Sequence, residues 1–138
     1  MKIEDRLDIQ DLVAQYAYYV DSLMIPEWVA LFAPDGILDE SEFGMGRHEG
    51  HQGLTAYGDA IASRVKHLLH LMTNHLIWDA EENSARGTSF AIVESMQNTG
   101  SRARYLVEYN DQYQRIGDRW VFQARYLKKT FPPEVIAS

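Results

Sequence analysis

Cysteine is absent from the 138 residues. Disulfide staples, thiol nucleophiles and cysteine-ligated metals are thereby excluded. No apolar run approaches the roughly twenty residues that a membrane-spanning helix needs. Positive charge is scarce: 13 Lys and Arg stand against 20 Asp and Glu, for a net charge of −7. The longest basic cluster is Lys128-Lys129, too short for a phosphate-binding face, so nucleic acid is not the expected partner. The first residues, Met1-Lys2-Ile3-Glu4-Asp5-Arg6, bring acids early and no apolar stretch. A signal peptide is not expected there, and a cytoplasmic location is the default. A Gly-rich phosphate loop is also missing, because Gly44-Met45-Gly46 lacks a flanking strand and helix.

What is present suits one globular domain, residues 1–138. Apolar residues make up 46% and charged residues 24%, ordinary values for a packed core. Aromatics reach 12%, with eight Tyr and three Trp, a supply that fits a pocket or a subunit interface.

Periodicity divides the chain in two. Ile3, Leu7, Leu12, Val13, Tyr16, Val20 and Leu23 recur at roughly helical spacing, which predicts a helix over 4–23. Pro26 suits the first turn of a second helix over Pro26–Ala33, buried through Trp28, Leu31 and Phe32. Pro34-Asp35-Gly36 reads as its stop, and Ile37–Glu40 as a short strand. Residues 41–53 read as a loop at a pocket mouth, with Glu40, Glu42 and Glu49 solvated. Leu54, Tyr57, Ile61 and Val65 mark a third helix. Four strands follow at 68–79, 86–97, 102–116 and 119–130, joined by Glu81-Glu82-Asn83, Asn98-Thr99-Gly100 and Gly117-Asp118. Such short turns require antiparallel pairing. Helices first and a meander afterwards predict an α+β domain with helices on one face of a bent sheet. A bent sheet leaves an outer face to cover, so a homodimer or homotrimer is expected.

Two polar residues stand out against this apolar frame. Asp21 closes the first helix, where a negative charge opposes the helix dipole. His70 lies inside an apolar strand. Each is costly to bury alone, and pairing removes most of that cost. His70 or Arg125 would serve as the partner of Asp21. Alternation puts His70, Met72, Asn74, Leu76 and Trp78 on one face of their strand and His75 on the other. A bulge would shift that assignment. Tyr16 lies about 140° around the helix from Asp21, so the two flank one cavity only if Asp21 sits where the helix ends and the chain bends. Arg125 has a plainer alternative in Glu108 or Asp111 across the last hairpin. His48 with His51, and His67 with His70, are spaced three apart but match no metal motif, so no metal and no cofactor are expected.

The segments Ile9–Asp21, Trp28–Gly36, His70-Leu71-Met72-Thr73-Asn74 and Tyr109–Trp120 together resemble the SnoaL-like family of the NTF2-like superfamily. The resemblance covers nearly the whole chain and is more specific for fold than for chemistry. It implies a cone, with three helices closing a strongly curved antiparallel sheet around an apolar cavity. The nearest branch resembles scytalone dehydratase, bile-acid 7α-dehydratase and hexachlorocyclohexane dehydrochlorinase, cofactor-free lyases that use an Asp–His pair. Carried onto this chain, the resemblance implies His70 as base, Asp21 as its orienting acid, Tyr16 as a pocket donor and Arg125 as holder of developing negative charge. Asn74, Trp28, Met72 and Tyr109 are the expected substrate-binding residues. A second acid of the bile-acid enzyme would fall near Val93 or Glu94, and this chain assigns it no clear position.

The function so implied is a lyase or isomerase of dehydratase type, acting on a small apolar, cyclic, polyketide- or terpenoid-like substrate. Two alternatives stand beside it: a non-catalytic ligand-binding or assembly module like the dioxygenase β subunits, and an aldol-type cyclase in which the acid itself is the base. The superfamily includes all of these, so fold alone does not choose among them.

Overall fold

A computed structural model describes residues 1–137. Helix α1 (Ile3–Asp21) buries Ile9, Leu12, Val13, Tyr16, Ala17 and Val20, a stripe at helical spacing that docks on the sheet. Ile3 and Leu7, counted in that stripe from the sequence, lie outside it and are exposed. The helix ends in a tight reversal. The Leu23 N–H donates to the Val20 carbonyl and the Met24 N–H to that of Tyr19, while Leu23 adopts the left-handed region at φ 55°. This is the arrangement that usually takes glycine after a helix. Asp21 is therefore the last helical residue, at the bend.

Helix α2 (Ile25–Val29) is shorter than the expected Pro26–Ala33. Phe32 and Ala33 belong instead to strand β1 (Phe32–Asp39), which runs straight through Pro34-Asp35-Gly36. That tripeptide is a bulge rather than a stop. The register on the neighbouring strand moves from Phe32↔Phe122 to Ile37↔Ala124 across it. Gly36 makes the bulge possible, since a Cβ there would lie 3.0 Å from the Ala33 carbonyl oxygen and 3.2 Å from that of Phe122.

The expected loop over 41–53 holds a single 3-10 turn (Ser41–Phe43), strand β2 (Arg47–Glu49) and the start of helix α3 (Gly50–Arg64). Four long strands follow: β3 (Val65–Ala80), β4 (Ser84–Gln97), β5 (Arg102–Ile116) and β6 (Arg119–Lys129). A short β7 (Glu134–Ala137), not anticipated, pairs with the start of β5. The sheet order is β2-β1-β6-β5-β4-β3. The meander β3–β6 is antiparallel, whereas β1 joins β6 in parallel.

The helices pack on the inner face of this curved sheet, and bulges in β3 bend it. The outer face of β3 leaves Leu69, Leu71, Leu76 and Trp78 exposed. No helix among the described residues is long and apolar enough to cross a membrane.

Candidate active site

The end of α1 meets the middle of β3. Asp21 Oδ1 lies 2.6 Å from His70 Nδ1, and Asp21 Oδ2 accepts the His70 backbone N–H at 2.7 Å. One carboxylate thus grips both the ring and the backbone of one residue. The gripped nitrogen is a donor, because a carboxylate only accepts. In neutral His70 the proton sits on Nδ1, and the lone pair is on Nε2. That nitrogen has no hydrogen-bond partner among the described residues, and His70 lines a pocket while Asp21 stands behind it. Both side chains are largely shielded from solvent, at 10% and 16% exposure.

The pocket has a free volume of about 100 Å³. Tyr16, Trp28 and Tyr109 from the expected set line it, with Phe43, Tyr105 and Leu127 adding apolar wall. Tyr16 sets its ring edge-on to the His70 imidazole, centroids 6.2 Å apart. Neither the Tyr16 nor the Tyr109 hydroxyl has a protein partner among the described residues, although both residues are buried. Burial pushes both phenols above their ordinary range, so both remain O–H donors. Trp28 is fully buried, and its Nε1 lacks an acceptor.

Arg125 is not in the pocket wall. It is wholly buried, with Nε donating to Asp111 Oδ1 at 2.7 Å and Nη2 donating to Asp111 Oδ2 and to Ser89. Its guanidinium lies 4.0 Å from the Tyr109 ring centre, 4.3 Å from that of Tyr16 and 4.4 Å from that of Phe122. Burial works against the charge, and the Asp111 carboxylate more than offsets it, holding the guanidinium above its ordinary value. The cross-hairpin alternative is what the fold adopts, since Asp111 and Arg125 are direct neighbours in the β5–β6 ladder. Arg125 supports the floor formed by two pocket tyrosines, and the ring faces take the charge of the nitrogen that finds no acceptor.

Asn74 is exposed, away from the pocket, and its side-chain oxygen accepts from Thr73. The cause is a bulge between Met72 and His75. It resets the alternation, so that His75, expected on the opposite face, joins His70 on the inner one. There His75 Nε2 meets the Tyr113 hydroxyl at 2.9 Å, and that hydroxyl donates to Asp111. Burial holds the His75 imidazole below its ordinary value, partly opposed by Asp111. Met72 packs against the core beside the pocket without lining it. Val93 lines the pocket, whereas Glu94 turns away to pair with Arg102 and Arg104.

Polar pocket residues that escaped the sequence reading include Glu40, Tyr57, Arg64, Ser95 and Gln97. Glu40, read as solvated, turns its carboxylate inward and accepts from the Tyr57 hydroxyl. Strand alternation from Leu38, which is fully buried, carried that signal. The paired histidines do not converge: His48 stacks on Tyr57, and His51 meets the Phe32 carbonyl. Among the described residues, no group of three or more His, Asp or Glu side chains could hold a metal ion.

Residues 1–126 match the family of SnoaL-like domains. No curated protein matches the chain in sequence. A provisionally named aromatic ring hydroxylase from Novosphingobium aromaticivorans superposes with a TM-score of 0.94 at 25% identity, covering 99% of this chain and 96% of that one. A provisionally named scytalone dehydratase from the same organism gives 0.87 at 17% identity over 99% and 90% of the two chains. The hexachlorocyclohexane dehydrochlorinase LinA-type3 from Novosphingobium barchaimii gives 0.85 at 17% over 98% and 92%. At 17% identity, the last two likenesses establish a shared fold.

Proposed function

We propose that this chain, which belongs to the SnoaL-like family of the NTF2-like superfamily, is a cofactor-independent lyase in which His70 removes a proton from a small apolar substrate. The observation that carries the proposal is the double grip of Asp21 on His70, which leaves a lone pair on the pocket side of the ring. A base so placed takes a proton from carbon next to a carbonyl. Asp21 then stabilises the imidazolium that forms. The Tyr16 and Tyr109 hydroxyls, on residues that line the same pocket, donate to the carbonyl oxygen as it gains negative charge. Two of the structural relatives carry lyase names, which agrees with this chemistry.

The substrate class follows from the walls. Aromatic side chains dominate the lining, and the free volume of about 100 Å³ is of the same order as the roughly 150 Å³ engineered cavity that holds benzene. A compound built on one ring fits better than a polycyclic one. The chain reads as one domain, and the exposed Leu69, Leu71, Leu76 and Trp78 favour assembly into a dimer or trimer. A second reading, a non-catalytic subunit in which the Asp21–His70 bond only braces the fold, draws on the bond from the His70 backbone N–H to Asp21, which serves packing rather than chemistry.

A small cyclic ketone with chlorine at the β carbon separates the two, since proton removal releases chloride and leaves an enone that absorbs in the ultraviolet. His70→Gln is expected to lower this release about 10²–10⁴-fold, and Asp21→Asn to lower it by a similar factor, with circular dichroism unchanged. Release at the wild-type rate in both variants would refute the lyase assignment and favour the bracing role.

A further inference from the structure

The pocket holds a second acid that proton removal does not use. Glu40 follows directly on β1, and its backbone is tied down on both sides. Its N–H donates to the Gly46 carbonyl at 2.7 Å, and its own carbonyl accepts from Phe43 at 3.0 Å and Met45 at 3.1 Å. The Tyr57 hydroxyl donates to Oε1. Tyr57 is itself held by His48, whose ring stacks on it at 3.7 Å, and His48 Nε2 meets the Met45 carbonyl at 2.8 Å. A solvated loop carboxylate needs no such support.

The two oxygens of Glu40 are unequal. Oε1 is occupied by Tyr57, whereas Oε2 accepts no hydrogen bond among the described residues and is open to the pocket that His70 also lines. When the carboxyl carries a proton, that proton therefore belongs on Oε2, facing the substrate space. Among the described residues no cation forms an ion pair with Glu40, and Arg64, on the same pocket wall, acts on its charge from beyond ion-pair distance. Burial pushes the carboxyl above its ordinary range, against the Tyr57 hydrogen bond and the nearby His70.

We propose that Glu40 is the proton donor to the departing group, and that the natural substrate is a β-hydroxy carbonyl compound that loses water. This rests on His70 as base. His70 Nε2 takes the proton on the carbon next to the carbonyl, and that C–H electron pair becomes the new C=C bond. The C–O bond at the β carbon breaks, its electron pair leaves with oxygen, and oxygen takes the Glu40 proton. The products are an enone and water, with no net oxidation or reduction. The proton on His70 returns to Glu40 through water, which resets the site. Halide departs without a proton, so a dehydrohalogenase would have no use for this acid. Tyr57 is a positioning residue that keeps the proton on the pocket-side oxygen.

The test compares two cyclic ketones that share one ring, one with a β-hydroxyl and one with a β-chlorine, which leaves as chloride without help. Glu40→Gln keeps an acceptor for Tyr57 but has no acidic proton. It is expected to lower water loss at least about 10²-fold more than chloride release. Water loss in the wild type should also fall at high pH as Glu40 ionises, and Glu40→Gln should remove that limb. The groups facing Glu40 are Tyr57 and Arg64 on α3, His48 on β2, His70 on β3, Tyr109 on β5 and Tyr16 on α1. Tyr57→Phe deletes a bond that favours the ionised carboxylate, so its limb should move to higher pH, and this variant carries the test if Glu40→Gln does not fold. Equal losses on both ketones, or an unmoved limb in Tyr57→Phe, overturn the acid assignment. A wild type that releases chloride but never dehydrates overturns it too while leaving His70 as base. A wild type inactive on both ketones removes the base as well.

Discussion

Two acid–base pairs tie this fold together, and they differ in what they leave open. Asp21 meets His70 at 2.6 Å where a helix end touches the sheet. Asp111 meets Arg125 at 2.7 Å inside the sheet's own ladder, with both side chains at 0% exposure. The distances are nearly the same, yet the chemistry diverges. Imidazole has two nitrogens, so gripping one leaves the other for a substrate. A guanidinium has no lone pair to offer, and here its charge is covered by Asp111, Ser89 and three aromatic rings. The first pair can do work on a ligand. The second holds up the tyrosines that such a ligand would touch.

The largest expected effect falls on the sealed pair. Asp111→Ala leaves a buried guanidinium without its counter-charge and should lower stability by about 3–5 kcal/mol, read as a urea midpoint. Replacing both members together, Asp111→Leu with Arg125→Met, should recover much of that loss. Asp21→Ala removes hydrogen bonds at a more open site and should lower stability by about 1–3 kcal/mol. A greater loss for Asp21→Ala than for Asp111→Ala would reverse the comparison.

A smaller effect concerns Glu40 and depends on pH. Its carboxyl binds a proton more tightly folded than unfolded. Between the two pKa values the native state holds more protons, so stability falls as pH rises through that window. Glu40→Gln should raise the urea midpoint at pH 8 and leave it nearly unchanged at pH 3. A midpoint difference that is the same at both pH values would mean that ionisation of Glu40 does not weaken the fold. The predicted pattern is that of a group retained for chemistry at some expense of stability.

These contrasts also show where sequence patterns suffice. Helix α1 and the meander were legible because long periodic stretches have one way to bury their apolar face. Alternation alone did not choose the inner face for His70, since both faces of its strand are mostly apolar; the cost of burying His70 or Asp21 alone pointed to their meeting. Asn74 and His75 were misplaced because one bulge exchanges the faces of every residue beyond it, and alternation carries no sign of where a bulge falls. Pro34-Asp35-Gly36 looked like a helix stop, but a parallel partner strand absorbs it as a kink. Arg125 was assigned to a pocket without the register that sets it directly opposite Asp111. Glu40 was the reverse case. Its two-residue spacing from Leu38 pointed inward, and the polar composition around it concealed that signal.

The proposed chemistry needs Asp21 to fix the protonation of His70 so that a bare nitrogen faces the pocket. Side-chain ¹⁵N NMR of the ligand-free protein with the ring neutral reads it directly. The expected result is a proton held on His70 Nδ1 and a lone pair on Nε2, with that preference lost in Asp21→Ala. A proton found on Nε2, or a ring whose tautomer ignores Asp21, would contradict it.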